Sequence, residues 1–351
     1  MTLSAPFPYF GGKSRIAHEV WAGLGNVEHY IEPFFGSGAT LLARPHKAKV
    51  ETVNDRDGLL ANVWRALQAD PDAVAQHADW PVNEVDLHAR HSWLIGEKPR
   101  VERLMADPDA YDAKAAGWWI WGASAWIGSG WCSGEGPWVV VDGELVEGAG
   151  HGVSRKRPHM ISSKGVNRKL PHMSGGQGVN RQLPHMSGGQ GVKRKRPELN
   201  HSRGVDAARD GLTEWFSDLS ARLRGVKVAC GDWSRVCGPS VRAAGNGVCG
   251  IFFDPPYCHE IRSKVYAHDE NVAADVLRWC VAHEGEKNLR IVLAGYTEHD
   301  ELGARGWRKL GWKAAGGYGA QGKGRGLENA TKETLWFSPQ CLQPAQMALF
   351  A

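Results

Sequence analysis

No apolar run in this 351-residue chain is long enough to cross a membrane. A spanning helix needs ~18 or more consecutive apolar residues, and the stretch around Trp118 to Trp126 is broken by Gly122 and Ser124. The opening Met1-Thr-Leu-Ser-Ala-Pro-Phe7 has no basic stretch followed by an apolar one, so no secretory leader is expected and the chain reads as cytoplasmic. Cysteine is sparse and unpatterned. The seven residues Cys132, Cys230, Cys237, Cys249, Cys258, Cys280 and Cys341 are an odd number, and none forms a C-x-x-C pair. A disulfide framework, a zinc site and dithiol redox chemistry are therefore not indicated, and no metal is expected. Hydrophobic residues at 42% and charged residues at 23% exclude a disordered or fibrous chain.

Acidic residues are nearly missing from one stretch. From His151 to Val205 there are twelve Lys/Arg against a single acid, Glu198, a local charge of +11 that leaves the rest of the chain at −7 within a total of +4. A concentrated basic block on an otherwise acidic protein calls for a polyanionic partner, with nucleic acid the first candidate. The same block is an internal repeat: Gly-Val recurs at Gly152, Gly165, Gly178, Gly191 and Gly204, always 13 residues apart, and the unit reads GVNRKLPHMSGGQ. Each unit holds one short extended piece and a turn, with too little apolar surface to offset an ordering cost of ~1–2 kcal/mol per residue. The repeats must lean on the body of the protein or order on a ligand.

On either side the chain alternates strands with helices. Strands are expected at His29–Glu32, Lys49–Val53, Val226–Cys230, Gly250–Phe253, Arg290–Ala294 and Glu333–Phe337. Leu59, Leu60, Val63, Trp64 and Leu67 line one helix face, and a second helix is expected from about Val272 to His283. This pattern implies an α/β domain with a mostly parallel sheet and ligands at the carboxyl ends of its strands. The centre, about 90–224, is then an insertion. It opens with the tryptophans Trp118, Trp119, Trp121, Trp126 and Trp131, read as a helix and loop before a strand at Trp138–Val141. It closes with a helix carrying Leu212, Trp215, Phe216, Leu219 and Leu223. The tryptophans suit a core, or alternatively a stacking platform for displaced bases.

Two motifs carry chemistry. Glu32-Pro-Phe-Phe-Gly-Ser-Gly38 leaves a strand and enters a helix through Gly36 and Gly38, and Asp55 ends the next strand 17 residues beyond Gly38. That spacing allows close backbone approach to a nucleoside, with a carboxylate accepting from both ribose hydroxyls; it also fits an ordinary turn with a surface acid. Asp254-Pro-Pro-Tyr257 follows the apolar strand Gly250-Ile-Phe-Phe253. The prolines fix a rigid corner. There a carboxylate and a carbonyl can accept from one exocyclic amine while Tyr257 stacks on the ring that bears it.

With these residues in order, the chain resembles DNA adenine-N6 methyltransferases of the Dam-like (D12) class. Pro8-Tyr-Phe-Gly-Gly-Lys13 is similar to that family's Trp/Tyr-x-Gly-Gly-Lys element, Glu32 to Gly38 to its S-adenosylmethionine loop, Asn54-Asp55 to its ribose-binding acid, and Asp254 to Tyr257 to its catalytic tetrapeptide. The resemblance covers about 1–70 and 225–340 and implies a Rossmann-like S-adenosylmethionine-dependent methyltransferase fold. It implies a cofactor set of Tyr9, Gly11, Gly12, Lys13, Glu32, Pro33, Phe34, Gly36, Ser37, Gly38, Asp55, Asp232, Trp233 and Asp254. The catalytic set it implies is Asp254, Pro255, Pro256 and Tyr257.

The layout expected on this basis is a methyltransferase domain in two parts, 1–90 and 225–340, an inserted target-recognition region at 91–224 with the repeats at 152–204, and a tail at 341–351. Close relatives carry a compact recognition domain where this chain has tryptophans and repeats, so the target sequence does not carry over. Arg155, Lys156, Arg168, Lys169, Arg181, Lys193, Arg194, Lys195 and Arg196 are candidates to track DNA phosphates, unless the block is a solvated basic linker. The tail Gln346-Met-Ala-Leu-Phe350 resembles the Gln-x-x-Leu-Phe peptide by which bacterial DNA enzymes dock on the sliding clamp. The expected substrate is an adenine flipped from double-stranded DNA, and the expected state is a monomer. RNA or a protein amide as acceptor, or DNA binding without catalysis, are the competing readings.

Overall fold

A computed structural model describes residues 3–9, 13–47, 49–107, 109–126, 131–132, 138–141, 144–147, 205–256, 272–295, 297–312 and 333–343, with the backbone alone described at 138–141, 144–147, 205–210 and 297–298. The main sheet is built from β1 (His29–Glu32), β2 (Val50–Asp55), β5 (Val226–Cys230), β6 (Cys249–Phe253), β7 (Leu289–Gly295), β8 (Arg308–Gly311) and β9 (Thr334–Phe337). A separate antiparallel hairpin joins β3 (Trp138–Val141) and β4 (Glu144–Glu147). The seven strands lie in the order β5-β2-β1-β6-β7-β9-β8, all parallel except β9, which pairs antiparallel with both β7 and β8. This is the expected Rossmann-like sheet. Strand order reverses between β1 and β6, the switch point beside which a doubly wound sheet opens its ligand crevice.

Because strand side chains alternate, successive residues go to opposite cores. Tyr30, Phe252, Val292, Leu335 and Phe337 enter one core. Ile31, Ile251, Phe253, Ile291, Leu293 and Trp336 enter the other. On the first face lie α1 (Ala17–Leu24), α3 (Gly58–Ala69), α4 (Pro71–Ala78), α5 (Glu84–Leu104), α6 (Ala113–Ala125) and α7 (Val205–Leu223), around α2 (Ala39–Leu42). On the second lie α8 (Pro239–Arg242), α9 (Val272–His283) and the 3-10 turn Trp233–Val236. Both faces of the sheet are covered, which explains why β1, β6 and β9 are buried at every position.

Helix starts follow local chemistry. Asp57, Asp70, Asn83 and Asp112 each accept a backbone N–H of the first turn of α3, α4, α5 and α6, at 3.0, 3.1, 2.8 and 2.7 Å. Each such cap contributes ~1 kcal/mol. The tryptophans of α6 belong to the core: Trp119 and Trp121 are buried, Trp119 meets Phe7 edge-on at 4.8 Å, and the Trp121 indole donates to the Trp80 carbonyl at 2.8 Å. The helix α7 buries Leu212, Phe216, Leu219 and Leu223 in the same core. Its Arg222 clasps the buried Glu51 of β2 with two hydrogen bonds of 2.7 and 2.8 Å, and Arg44 reaches the same carboxylate at 3.1 Å. The second strand runs Val50–Asp55, later than the expected Lys49–Val53, so Asp55 is a strand residue. Among the described residues no helix is long and apolar enough to cross a membrane.

Candidate active site

A cleft opens at the carboxyl ends of β1, β2, β5 and β6, with about 970 Å³ of space partly open to solvent. Its floor is a turn. Beyond β1 the chain bends through Gly36, whose φ of +49 is left-handed, and a Cβ there would stand 2.8 Å from the Tyr9 ring. Glycine thus lets Tyr9 close over the turn. The Gly36 N–H donates to Oδ2 of Asp55 at 3.0 Å, and its carbonyl accepts from the Trp64 indole at 3.0 Å. Gly38, with φ of +67, does not line the cleft; it precedes α2, and a Cβ there would meet Phe35 at 2.8 Å.

Asn54 holds three strand ends together. Its side-chain amide donates to the carbonyls of Pro33 and Gly231, both at 3.0 Å, while its own carbonyl accepts from Phe35 N–H at 2.9 Å. The Asn54 Oδ1 is buried and has no hydrogen-bond partner among the described residues. Beside it, half-buried Asp55 accepts from Gly36 and Asp57 N–H groups, 3.0 Å each. Protein surrounds this carboxylate except toward the cleft, and burial pushes its pKa up to about 6 against the pull of those backbone donors. Asp232 caps the turn after β5 by accepting from Ser234 N–H at 2.9 Å. That turn presents Trp233, whose ring lies 6.3 Å from Phe34 at 29°, and the two form a flat apolar wall.

The opposite end is acidic. Asp254 follows β6 and its Oδ2 lies 2.9 Å from the ammonium of Lys13, which is only 4% exposed. Glu32 is buried; burial drives its pKa well up, the Asp254 charge adds to this, and the Tyr30 hydroxyl donates to it at 2.9 Å. Pro255 is buried and Pro256 lines the cleft. A ligand held here meets a carboxylate for a diol, an aromatic wall, and a rigid acceptor corner suited to an amine.

The cleft thus gathers Tyr9, Lys13, Glu32, Pro33, Phe34, Gly36, Ser37, Asp55, Asp232, Trp233, Asp254 and Pro256. Gly11, Gly12 and Tyr257 lie outside the described residues, as do the nine basic repeat residues and Gln346 to Phe350. Nothing in the sequence marks Asn54 as a scaffold, and there Glu333 is only the first residue of an expected strand. Glu333 is 9% exposed, burial raises its pKa, and the charges acting on it belong to Lys13 and Asp254. The signal available is a charged residue just ahead of the largely apolar strand Thr334–Phe337.

Residues 9–85 match the family model described as D12 class N6 adenine-specific DNA methyltransferase. The match spans three of the four motifs and bears out the likeness to Dam-like methyltransferases; it supports DNA methyltransferase activity. No curated protein matches the chain. Asp254 lies outside the matched stretch, and the Lys13 ion pair joins it to that stretch.

Proposed function

We propose that the protein is a site-specific DNA adenine-N6 methyltransferase acting on a flipped adenine in double-stranded DNA, with S-adenosylmethionine as donor. The observation that carries this reading is the Lys13–Asp254 contact, which sets the Asp-Pro-Pro corner against the motifs of the matched stretch. The donor set fits the cofactor. Asp55 suits a ribose diol, Phe34 and Trp233 suit a purine face, and Glu32 and Asp254 suit the positive charge of a sulfonium and an ammonium. The unpartnered Oδ1 of Asn54 is a further acceptor at the cleft.

When bound, S-adenosylmethionine supplies the sulfonium methyl that is transferred. Flipping the adenine costs a few kcal/mol of unstacking. Asp254 and the Pro255 carbonyl then accept from the N6 amine and hold its nitrogen in line for attack, with Tyr257 against the base. Most of the rate gain is positioning and electrostatics, without a covalent enzyme intermediate. The basic repeats track phosphates while 1–90 and 225–340 form the catalytic body, and the C-terminal peptide docks on a sliding clamp.

The test offers duplex DNA, RNA and protein together as acceptors of labelled methyl. Label in DNA alone is expected; label confined to RNA or protein would retain the fold and overturn the substrate.

A further inference from the structure

We infer that Glu333 is the alternate partner of Lys13, drawing the ammonium off Asp254 so that Asp254 can accept the substrate amine. This rests on the methyltransferase reading above. Asp254 is engaged by Lys13 at 2.9 Å, yet transfer requires that carboxylate to receive the N6 amine. An oxygen already engaged by an ammonium is a poorer acceptor than a free one. Pulling a buried ammonium away with nothing to receive it is costly.

The receiver is at hand. Oε2 of Glu333 is buried and accepts no hydrogen bond among the described residues, an unusual state for a carboxylate oxygen in a protein interior. The direction of β9 explains its place. Because β9 runs against β7, Thr334 pairs with Gly295 at the carboxyl end of that strand, and Phe253 pairs with Leu293 on its other side. Glu333 and Asp254 therefore share one edge of the sheet. The Trp312 N–H donates to the Glu333 carbonyl at 3.0 Å and fixes its backbone. Lys13 is the cation and Asp254 the anion that act on Glu333, and Glu32 faces Asp254 from β1. One ammonium thus acts on two carboxyl groups, Asp254 and Glu333, of which Glu333 has a vacant oxygen. Its burial-raised pKa means that protonation as the pH falls would remove the receiver.

The test compares wild type with Glu333→Gln and Glu333→Asp in single-turnover methyl transfer at saturating cofactor and DNA. Saturation keeps Asp55 titration out of the profile. Glu333→Gln is expected to lower the rate about tenfold or more with cofactor affinity and KM for DNA little changed, the pattern of an interaction made on the way to the transition state. The wild-type rate falls as pH drops through the Glu333 pKa; the Gln variant loses this limb, and the Asp variant recovers part of the rate. A Gln variant with wild-type rate, one that is slow but keeps the acid limb, or one that no longer binds cofactor would overturn the assignment. If wild type itself transfers no methyl to DNA, the underlying reading fails, and this outcome is distinct from the others.

Discussion

The ammonium of Lys13 and the carboxylate of Asp254 stand 2.9 Å apart, joining the first sequence motif to the last, with the lysine 4% exposed and the aspartate 22%. Replacing Lys13 with Met leaves Asp254, Glu32 and Glu333 facing one another without a compensating cation. Removing one partner of a buried pair costs ~3–5 kcal/mol. The partial exposure of Asp254 places this case at or below about 3 kcal/mol. Denaturant unfolding checks it: the midpoint is expected to fall, and an unchanged midpoint would contradict the electrostatic role given to Lys13.

Cofactor affinity should titrate with Asp55. The carboxylate form accepts the ribose hydroxyls, so a group with pKa of about 6 in the free protein must be deprotonated to bind. Binding lowers that pKa, which sets the sign: affinity is steady above about 6 and is lost as pH falls below it, by up to about tenfold per unit. Calorimetric titration of S-adenosylmethionine against pH reads this directly, and Asp55→Ala is expected to bind weakly at every pH. A wild-type profile that is flat between pH 5 and 7, on the order of one unit either side of the Asp55 value, would exclude Asp55 from the site.

Gly36→Ala tests the turn. A side chain at φ of +49 with a Cβ 2.8 Å from Tyr9 must strain the backbone, at ~1–3 kcal/mol, and displace the ring. Weaker cofactor binding with a modest loss of stability is expected. Alanine at Gly211, where no atom lies within 4 Å of the added Cβ, is the control and should leave binding unchanged.

Excising Gly152 to Arg203 separates the repeats from the body. The helices α6 and α7 pack in the sheet's own core, and Arg222 clasps Glu51, so cofactor binding should survive. DNA affinity should drop and its salt dependence flatten, since each phosphate contact contributes roughly one unit of slope. Unchanged affinity and slope would assign the block to a basic linker.

Periodic apolar segments were the legible part of the chain. The strands His29–Glu32 and Val226–Cys230 and the helix Val272–His283 stand where alternation and helical spacing place them, and all five residues of the expected α3 face are buried. The motif residues lead to one cleft because strand-end loops of a parallel sheet converge at its carboxyl edge. The helix α5 was not legible: it buries Arg90 against the rings of Trp80, Trp118 and Trp121, and His91 against Trp126, where an apolar stripe would have signalled it. The role of Glu333 was hidden for another reason. The reversal of β9 that brings its first residues to the active edge depends on the order of strands in space, which no local pattern in the sequence encodes.

The most direct measurement is nucleoside analysis of unmethylated duplex DNA after incubation with labelled S-adenosylmethionine and either wild type or Asp254→Ala. N6-methyladenine at a defined sequence is expected with wild type, and none with the variant although it remains folded. Near-normal methylation by the variant, or a modified base other than N6-methyladenine, would contradict the proposed function.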